Sequence, residues 1–200
     1  MKGIKKVCIM TSVHPHDDIR IFHRQAKTLR DAGYRVVILC TDYDGVKEGI
    51  GFIRLRLPQD RWGRMRRASR VFYKAALATG ADIFHLHDPE LLPAGRRLAR
   101  QGHKVVYDIH EDLPLSLLDK RWIPAPLRGP VAAVAGWAEK RLAAGVSLCI
   151  AATEEIARRF PGGVAVCNYP DHREFTREHQ PFEQCKPQLA YVGGITASRG

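Results

Sequence analysis

The sequence predicts an α/β fold: a Rossmann-like parallel sheet with helices on both faces. Two observations carry this. Short apolar runs rich in Val and Ile recur at 7–10, 36–40, 83–86, 104–109, 148–151 and 164–167, each the length of a strand buried on both faces. Between them the apolar residues take helical spacing, and the first strand–helix–strand alternation closes within about 35 residues, as a βαβ unit does.

After the first run, Ile19, Phe22, Ala26 and Leu29 share one helical face, with Arg20, Arg24, Lys27 and Arg30 elsewhere and Gly33 placed to end the helix. Over 49–57, Ile53, Leu55 and Leu57 alternate with Arg54 and Arg56, a strand with one solvated face near a sheet edge. A basic helix follows over 61–74, carrying Trp62, Met65, Phe72 and Tyr73. Further helices are expected at 89–100 and, Ala-rich, at 127–144. From 169 to 187 the chain is polar and irregular, with Pro170, Pro181 and Pro187; residues 188–194 then begin another strand ending in Gly193 and Gly194. This divides the chain into a Rossmann-like domain over 1–170, a linker over 171–187 and, over 188–200, the start of a second domain that is cut short.

With 45% hydrophobic and 26% charged residues in 200, the composition is that of a globular chain and excludes a disordered or fibrous one. No apolar run reaches the roughly 18 to 20 residues that cross a bilayer, and the start lacks a small-residue cleavage site, so a cytoplasmic location is expected. The net charge of +11 attracts phosphates, whether on nucleic acid, anionic lipid or a small molecule. The 61–74 stretch is a candidate contact with an anionic membrane. The five cysteines, Cys8, Cys40, Cys149, Cys167 and Cys185, never stand in Cys-x-x-Cys spacing and read as reduced thiols.

In an open α/β sheet the ligand crevice lies at the carboxyl ends of the strands. The first strand runs into Thr11-Ser12-Val13-His14-Pro15-His16-Asp17-Asp18. The 83–86 run leads into His87-Asp88-Pro89-Glu90, and the 104–109 run into His110-Glu111-Asp112. Three His- and Asp-bearing strand ends on one sheet edge point to a functional cleft. Period-two geometry places His85 and His87 on one face, and likewise Asp108 and His110. His85, one step deeper, reads as a satisfied core histidine, with His87, Asp88 and His110 reaching the crevice. Gly193 and Gly194 would let backbone N–H groups approach a phosphate, with Arg199 close by.

The segments from Thr11 to Tyr34, His85-Leu-His-Asp-Pro-Glu-Leu-Leu-Pro93 and Val105-Val-Tyr-Asp-Ile-His-Glu-Asp112 together resemble the N-terminal half of bacterial family 4 glycosyltransferases with the GT-B fold. The closing Tyr191-Val-Gly-Gly-Ile-Thr-Ala-Ser-Arg-Gly200 looks like the opening of that family's C-terminal domain. The resemblance implies two Rossmann-like domains facing a cleft, the first holding the acceptor and the second most of a nucleotide-sugar donor. It implies transfer with retention, without a metal or other cofactor, to a polysaccharide or lipid-linked acceptor, peripherally at the inner membrane face.

By the same resemblance His110 contacts the donor sugar beside the reacting centre, with Glu111 next to it. The resemblance also places His14 and the loop that carries Asp17 and Asp18 beside donor phosphates and acceptor, and Gly193, Gly194 and Arg199 at the donor phosphates. The strand-end reading adds Arg20, His87, Asp88 and Glu90 to the substrate surface, with Asp88, Glu90 or Glu111 able to position an acceptor hydroxyl. The sequence departs from the family pattern at His16-Asp17-Asp18, where a Gly-Gly is common, and at Gly194, where a basic residue is usual.

Two other readings follow from the residues. The His-x-His pairs 14/16 and 85/87 with nearby carboxylates suit a metal-dependent hydrolase. The charge suits a non-enzymatic binding module, although no aromatic-basic motif for nucleic acid is present and the crevice is acidic, so no nucleic-acid partner is expected.

Overall fold

The structure is a computed structural model that describes residues 5–58, 60–169 and 181–188. By compactness the chain divides into Met1–Asn168 and Tyr169–Gly200. In the second unit the described residues hold one 3-10 turn, Phe182–Gln184.

The first unit is an eight-stranded sheet. Its strands are β1 (Lys6–Met10), β2 (Arg35–Cys40), β3 (Gly45–Lys47), β4 (Ile50–Arg54), β5 (Ile83–Leu86), β6 (Lys104–Ile109), β7 (Leu148–Ala151) and β8 (Val164–Ala165), in the order β3-β4-β2-β1-β5-β6-β7-β8. Every pairing is parallel except β3 with β4. The order reverses between β1 and β5, which makes the carboxyl ends of those two strands the topological switch point.

Helix α1 is a π-helical stretch, Ile19–Ala26, that runs into a regular turn, Lys27–Asp31. The remaining helices are α2 (Arg61–Ala78), α3 (Leu92–Arg100, entered through a 3-10 turn at Pro89–Leu91), α4 (Leu113–Leu118), α5 (Ala125–Ala143) and α6 (Glu154–Ala157). One sheet face packs Val7, Ile9, Val36 and Ile38 against Ile21, Phe22 and Ala26 of α1. The other face packs Met10, Leu39, Phe84, Leu86 and Tyr107 against Phe72 and Ala76 of α2, Leu98 of α3 and Ala143 of α5.

The strands expected at 7–10, 36–40, 83–86, 104–109 and 148–151 are present, and four differences have physical reasons. Strand β3 was not anticipated. Its two-residue turn, Glu48 (φ 51°) and Gly49 (φ 76°), has both central residues at positive φ, the geometry that joins two antiparallel strands tightly. The segment expected near an edge, β4, is accordingly one strand in from it. At the opposite edge only Val164 and Ala165 pair, and Val164 and Val166 are exposed, so the 164–167 run is not buried on both faces.

The fourth difference is in α1. Ile19 is exposed, whereas Arg20 and Ile21 are buried with Phe22 and Ala26. The Asp18 carboxylate caps the helix by accepting from the N–H groups of Arg20 and Ile21, both at 2.9 Å. The N–H of His23 reaches the Asp18 carbonyl and that of Lys27 the Phe22 carbonyl, bonds of i→i−5 type. This wider winding shifts the buried face away from the 3.6-residue pattern and turns Arg20 inward.

Cys8, Cys40 and Cys149 are buried free thiols, Cys167 is half-buried and Cys185 exposed. Burial pushes the Cys8 thiol up to about 12, which makes it inert.

Candidate functional site

The crevice is assembled at the switch point from the ends of β1, β5 and β6. The His87 N–H donates to the Met10 carbonyl at 3.1 Å, holding the β5 end against the β1 end. Just beyond, Asp88 binds the two ends together. Its Oδ2 accepts from the Ser12 N–H at 2.6 Å and lies 3.1 Å from the hydroxyls of both Thr11 and Ser12. The Ser12 hydroxyl is also 2.9 Å from Glu90 Oε1. Burial raises the Glu90 carboxyl above its ordinary value. The other Asp88 oxygen stands 3.4 Å from His14 Nε2, so one buried carboxylate both fixes the loop and faces its histidine.

Four imidazoles run in series from the core to the opening. The ring centroids of His85 and His87 are 4.5 Å apart, those of His87 and His110 5.1 Å, and those of His110 and His14 4.7 Å. His87 Nδ1 and His110 Nε2 share a hydrogen bond at 2.9 Å, and both lie 3.5 Å from Asp108 Oδ2. A cavity of about 230 Å³ opens on His14, His87, Asp88, His110 and Glu111 and is walled by Tyr107, Leu113 and Glu139. Behind it the Tyr107 hydroxyl donates to Glu139 at 2.9 Å, and Glu139 is paired with Arg159, which also pairs with Asp112.

The charges divide sharply. Burial drives the His85 pKa down to about 4 and that of His87 well below its ordinary value, so both are neutral imidazoles. Burial would raise the Asp108 carboxyl, but hydrogen bonds from His110 and Arg20 outweigh it and hold the group far below the carboxylate range. At the mouth, the hydrogen bond to Asp18 raises His14, with Asp88 adding to the effect. In return Asp18, although burial opposes it, falls to about 2 through His14 and the Ile21 and Arg20 N–H groups. The site therefore has a neutral histidine interior, and at its rim a histidine whose proton affinity is raised.

Three sequence expectations change. His87 is not freer than His85: the two are 3% and 7% exposed, and His87 reaches the cavity only as its floor. His85 is buried but not satisfied, since its Nε2 and that of His87 have no hydrogen-bond partner among the described residues. Arg20 is buried rather than open to the crevice. Its guanidinium is spent on Asp108, Nε to Oδ2 at 2.9 Å and Nη2 to Oδ1 at 2.7 Å, with Nη1 donating to the Val166 carbonyl. The surface carboxylate Asp17 is exposed, while Asp18 is the helix cap. Gly193, Gly194 and Arg199 lie outside the described residues.

Asp108, Thr11, Ser12 and Gln25 were not among the expected site residues. The one signal for Asp108 was its place two residues before His110, on the same strand face.

Among the described residues His85, His87 and Asp108 are the one group whose ligand atoms come within 4.8 Å of one another, as a metal site requires. Their chemistry does not suit a cation, because both Asp108 oxygens already accept from the Arg20 guanidinium, and Oδ2 also from Gln25 at 2.6 Å. The other His-x-His pair diverges: His14 faces Asp18 and Asp88, whereas His16 bonds Asp42 at 2.9 Å and stacks on Tyr43.

A second opening, of about 470 Å³, lies across Ser12 from the first, lined by Thr41, Arg54, Arg56 and Arg64. Arg64 stands in the first turn of α2, where the helix dipole adds positive potential.

Residues 19–165 match the model of the glycosyl transferase 4-like domain. The chain belongs to that family. No curated protein sequence matches it. Among solved structures, sucrose-phosphate synthase from Thermosynechococcus elongatus superposes with a TM-score of 0.59 at 14% identity, over 82% of this chain and 47% of that one. LpCGTa in complex with UDP gives 0.56 at 15% identity, over 87% and 55%. The catalytic domain of starch synthase IV from Arabidopsis thaliana, bound to ADP and acarbose, gives 0.54 at 14%, over 90% and 54%. The chain thus spans about half the length of these structures and shares the Rossmann-like fold of the N-terminal half of a GT-B architecture.

Proposed function

We propose that the protein moves a sugar from a nucleotide-sugar donor to a carbohydrate or lipid-linked acceptor, with retention, and that this chain supplies the acceptor side of the site. The observation that carries the reading is the histidine series ending in His110 and His14 at the switch-point cavity. Transfer breaks the bond between the anomeric carbon and the diphosphate oxygen and forms one to an acceptor hydroxyl, whose proton passes to the leaving diphosphate. Such a reaction needs hydrogen bonds to a sugar carrying positive charge and cations for the departing phosphates.

His110 suits the first task, because its Nε2 is fixed by His87 and Asp108 while the rest of the ring lines the cavity. His14, whose proton affinity is raised by Asp18, suits the second, and Gly193, Gly194 and Arg199 are proposed to join it at the donor phosphates. Glu111 in the cavity lining and Glu90 beside Ser12 are proposed to position an acceptor hydroxyl, with Asp88 ordering the loop that carries His14. The UDP and ADP held by two of the structural neighbours accord with a nucleoside diphosphate leaving group. Arg54, Arg56 and Arg64 suit a phosphate or carboxylate on the acceptor. No metal is needed in this scheme, since Arg20 already neutralises the buried carboxylate.

The test is release of nucleoside diphosphate by the complete gene product over a panel of nucleotide-sugars with a membrane extract as acceptor source. Turnover of at least one donor is expected; failure to bind or turn over any of them would contradict the reading.

A further inference from the structure

Helix α5 is packed inside out. Its buried residues are Ala132, Gly136, Glu139 and Ala143, and Leu142 packs against the core, while its other large apolar residues face solvent: Leu127, Val131, Val134 and Trp137, the last two 65% and 67% exposed. At about 100° per residue these four fall within roughly 120° of arc, opposite the buried set. The small residues have a packing reason, because a side chain on Gly136 would meet Pro114 of α4 at 2.6 Å. The large exposed ones have none among the described residues. Leu115 and Leu118 on α4 are exposed as well.

We infer that this outer face of α5 is a membrane-contact surface that seats on an anionic bilayer. Charge complementarity selects that occupant. Between 113 and 144 stand Lys120, Arg121, Arg128, Lys140 and Arg141 against Asp119 and the buried Glu139. Cations at both ends of an apolar stripe that carries a tryptophan form the pattern of a helix lying in the headgroup plane. In the basic helix α2, among the described side chains, Phe72 is fully buried and Tyr73 lies under the Arg97 guanidinium at 4.2 Å, which leaves Met65 and Leu77 as single exposed apolar residues on a charged face rather than a continuous stripe.

The surface stands apart from the transfer reaction, and so does its test. The complete protein is sedimented with vesicles of phosphatidylcholine, alone and mixed with phosphatidylglycerol. Binding to the mixed vesicles is expected, together with a blue shift in tryptophan emission that Trp137→Phe diminishes. The double variant Val134→Ser/Trp137→Ser is expected to bind at least ~10-fold more weakly with an unchanged urea midpoint and unchanged turnover of a soluble acceptor. No binding to either vesicle overturns the inference, as does undiminished binding by the double variant. Loss of binding on Arg66→Gln/Arg70→Gln in α2 but not on the α5 change would also overturn it, as would a solution dimer that the α5 change dissociates.

Discussion

His87 Nδ1 lies 2.9 Å from His110 Nε2, and a single proton occupies that gap. Whichever ring donates, the other must accept, so the tautomer of the cavity histidine is coupled to that of a buried one. Burial keeps His87 neutral, and the Asp108 carboxylate beside both rings favours keeping the proton there. His87 is in this sense a positioning residue. His87→Leu is expected to lower kcat about 10-fold or more with little change in donor KM, and His87→Asn, which restores a polar group at the bond, to recover part of it. Equal rises in KM for both variants would show that His87 shapes the binding surface instead.

Asp108 and Arg20 form a buried pair whose members are far apart in sequence. Asp108→Asn leaves a guanidinium in the interior without its counter-charge, and the expected loss is about 3 to 5 kcal/mol in urea unfolding. Asp108→Asn combined with Arg20→Met should recover much of it. A single variant within ~1 kcal/mol of the parent would refute the pairing.

The charge states give stability a maximum near neutrality. His85 is neutral in the fold down to about pH 4, so the unfolded chain binds its proton first as pH falls below 6.5. Stability then declines by up to about 1.4 kcal/mol per pH unit for that group, with His87 acting in the same direction. The depressed Asp18 adds a second loss, beginning below its ordinary value of 3.8 and complete near pH 2. His14, whose pKa is raised, stabilises below 6.5, and its contribution fades as pH rises through its folded value. Urea midpoints measured from pH 8 to 4 should fall less steeply for His85→Leu than for the parent; identical slopes would mean that His85 takes up a proton in the fold.

Gly136→Ala tests the contact between α4 and α5. Its added methyl group would press on Pro114, and a loss of about 1 to 3 kcal/mol is expected from thermal unfolding. A neutral result would mean that α4 moves aside freely.

The sheet was legible because a strand buried on both faces is largely apolar: 7–10 and 36–40 are apolar and buried throughout, and 83–86 and 104–109 are interrupted only by His85 and by Lys104 and Asp108. The crevice was legible for a related reason: polar residues immediately after such runs have nowhere to go but the sheet edge. What escaped depends on contacts distant in sequence or on backbone winding. Nothing local announces that Arg20 reaches Asp108, since its position in a 3.6-residue pattern assigns it to solvent and only the i→i−5 turns carry it inward. Likewise the inverted face of α5 follows from the close approach of Pro114 to Gly136, and its Ala-rich composition gives no hint of which side faces out.

The most direct test of the account is to compare turnover and stability in one variant, His110→Ala, using the complete protein and its best donor. The cavity role predicts a fall in kcat of about 100-fold or more with unfolding free energy within ~1 kcal/mol of the parent. Proportionate losses in both, or unchanged turnover, would contradict it and make His110 a packing residue at the end of β6.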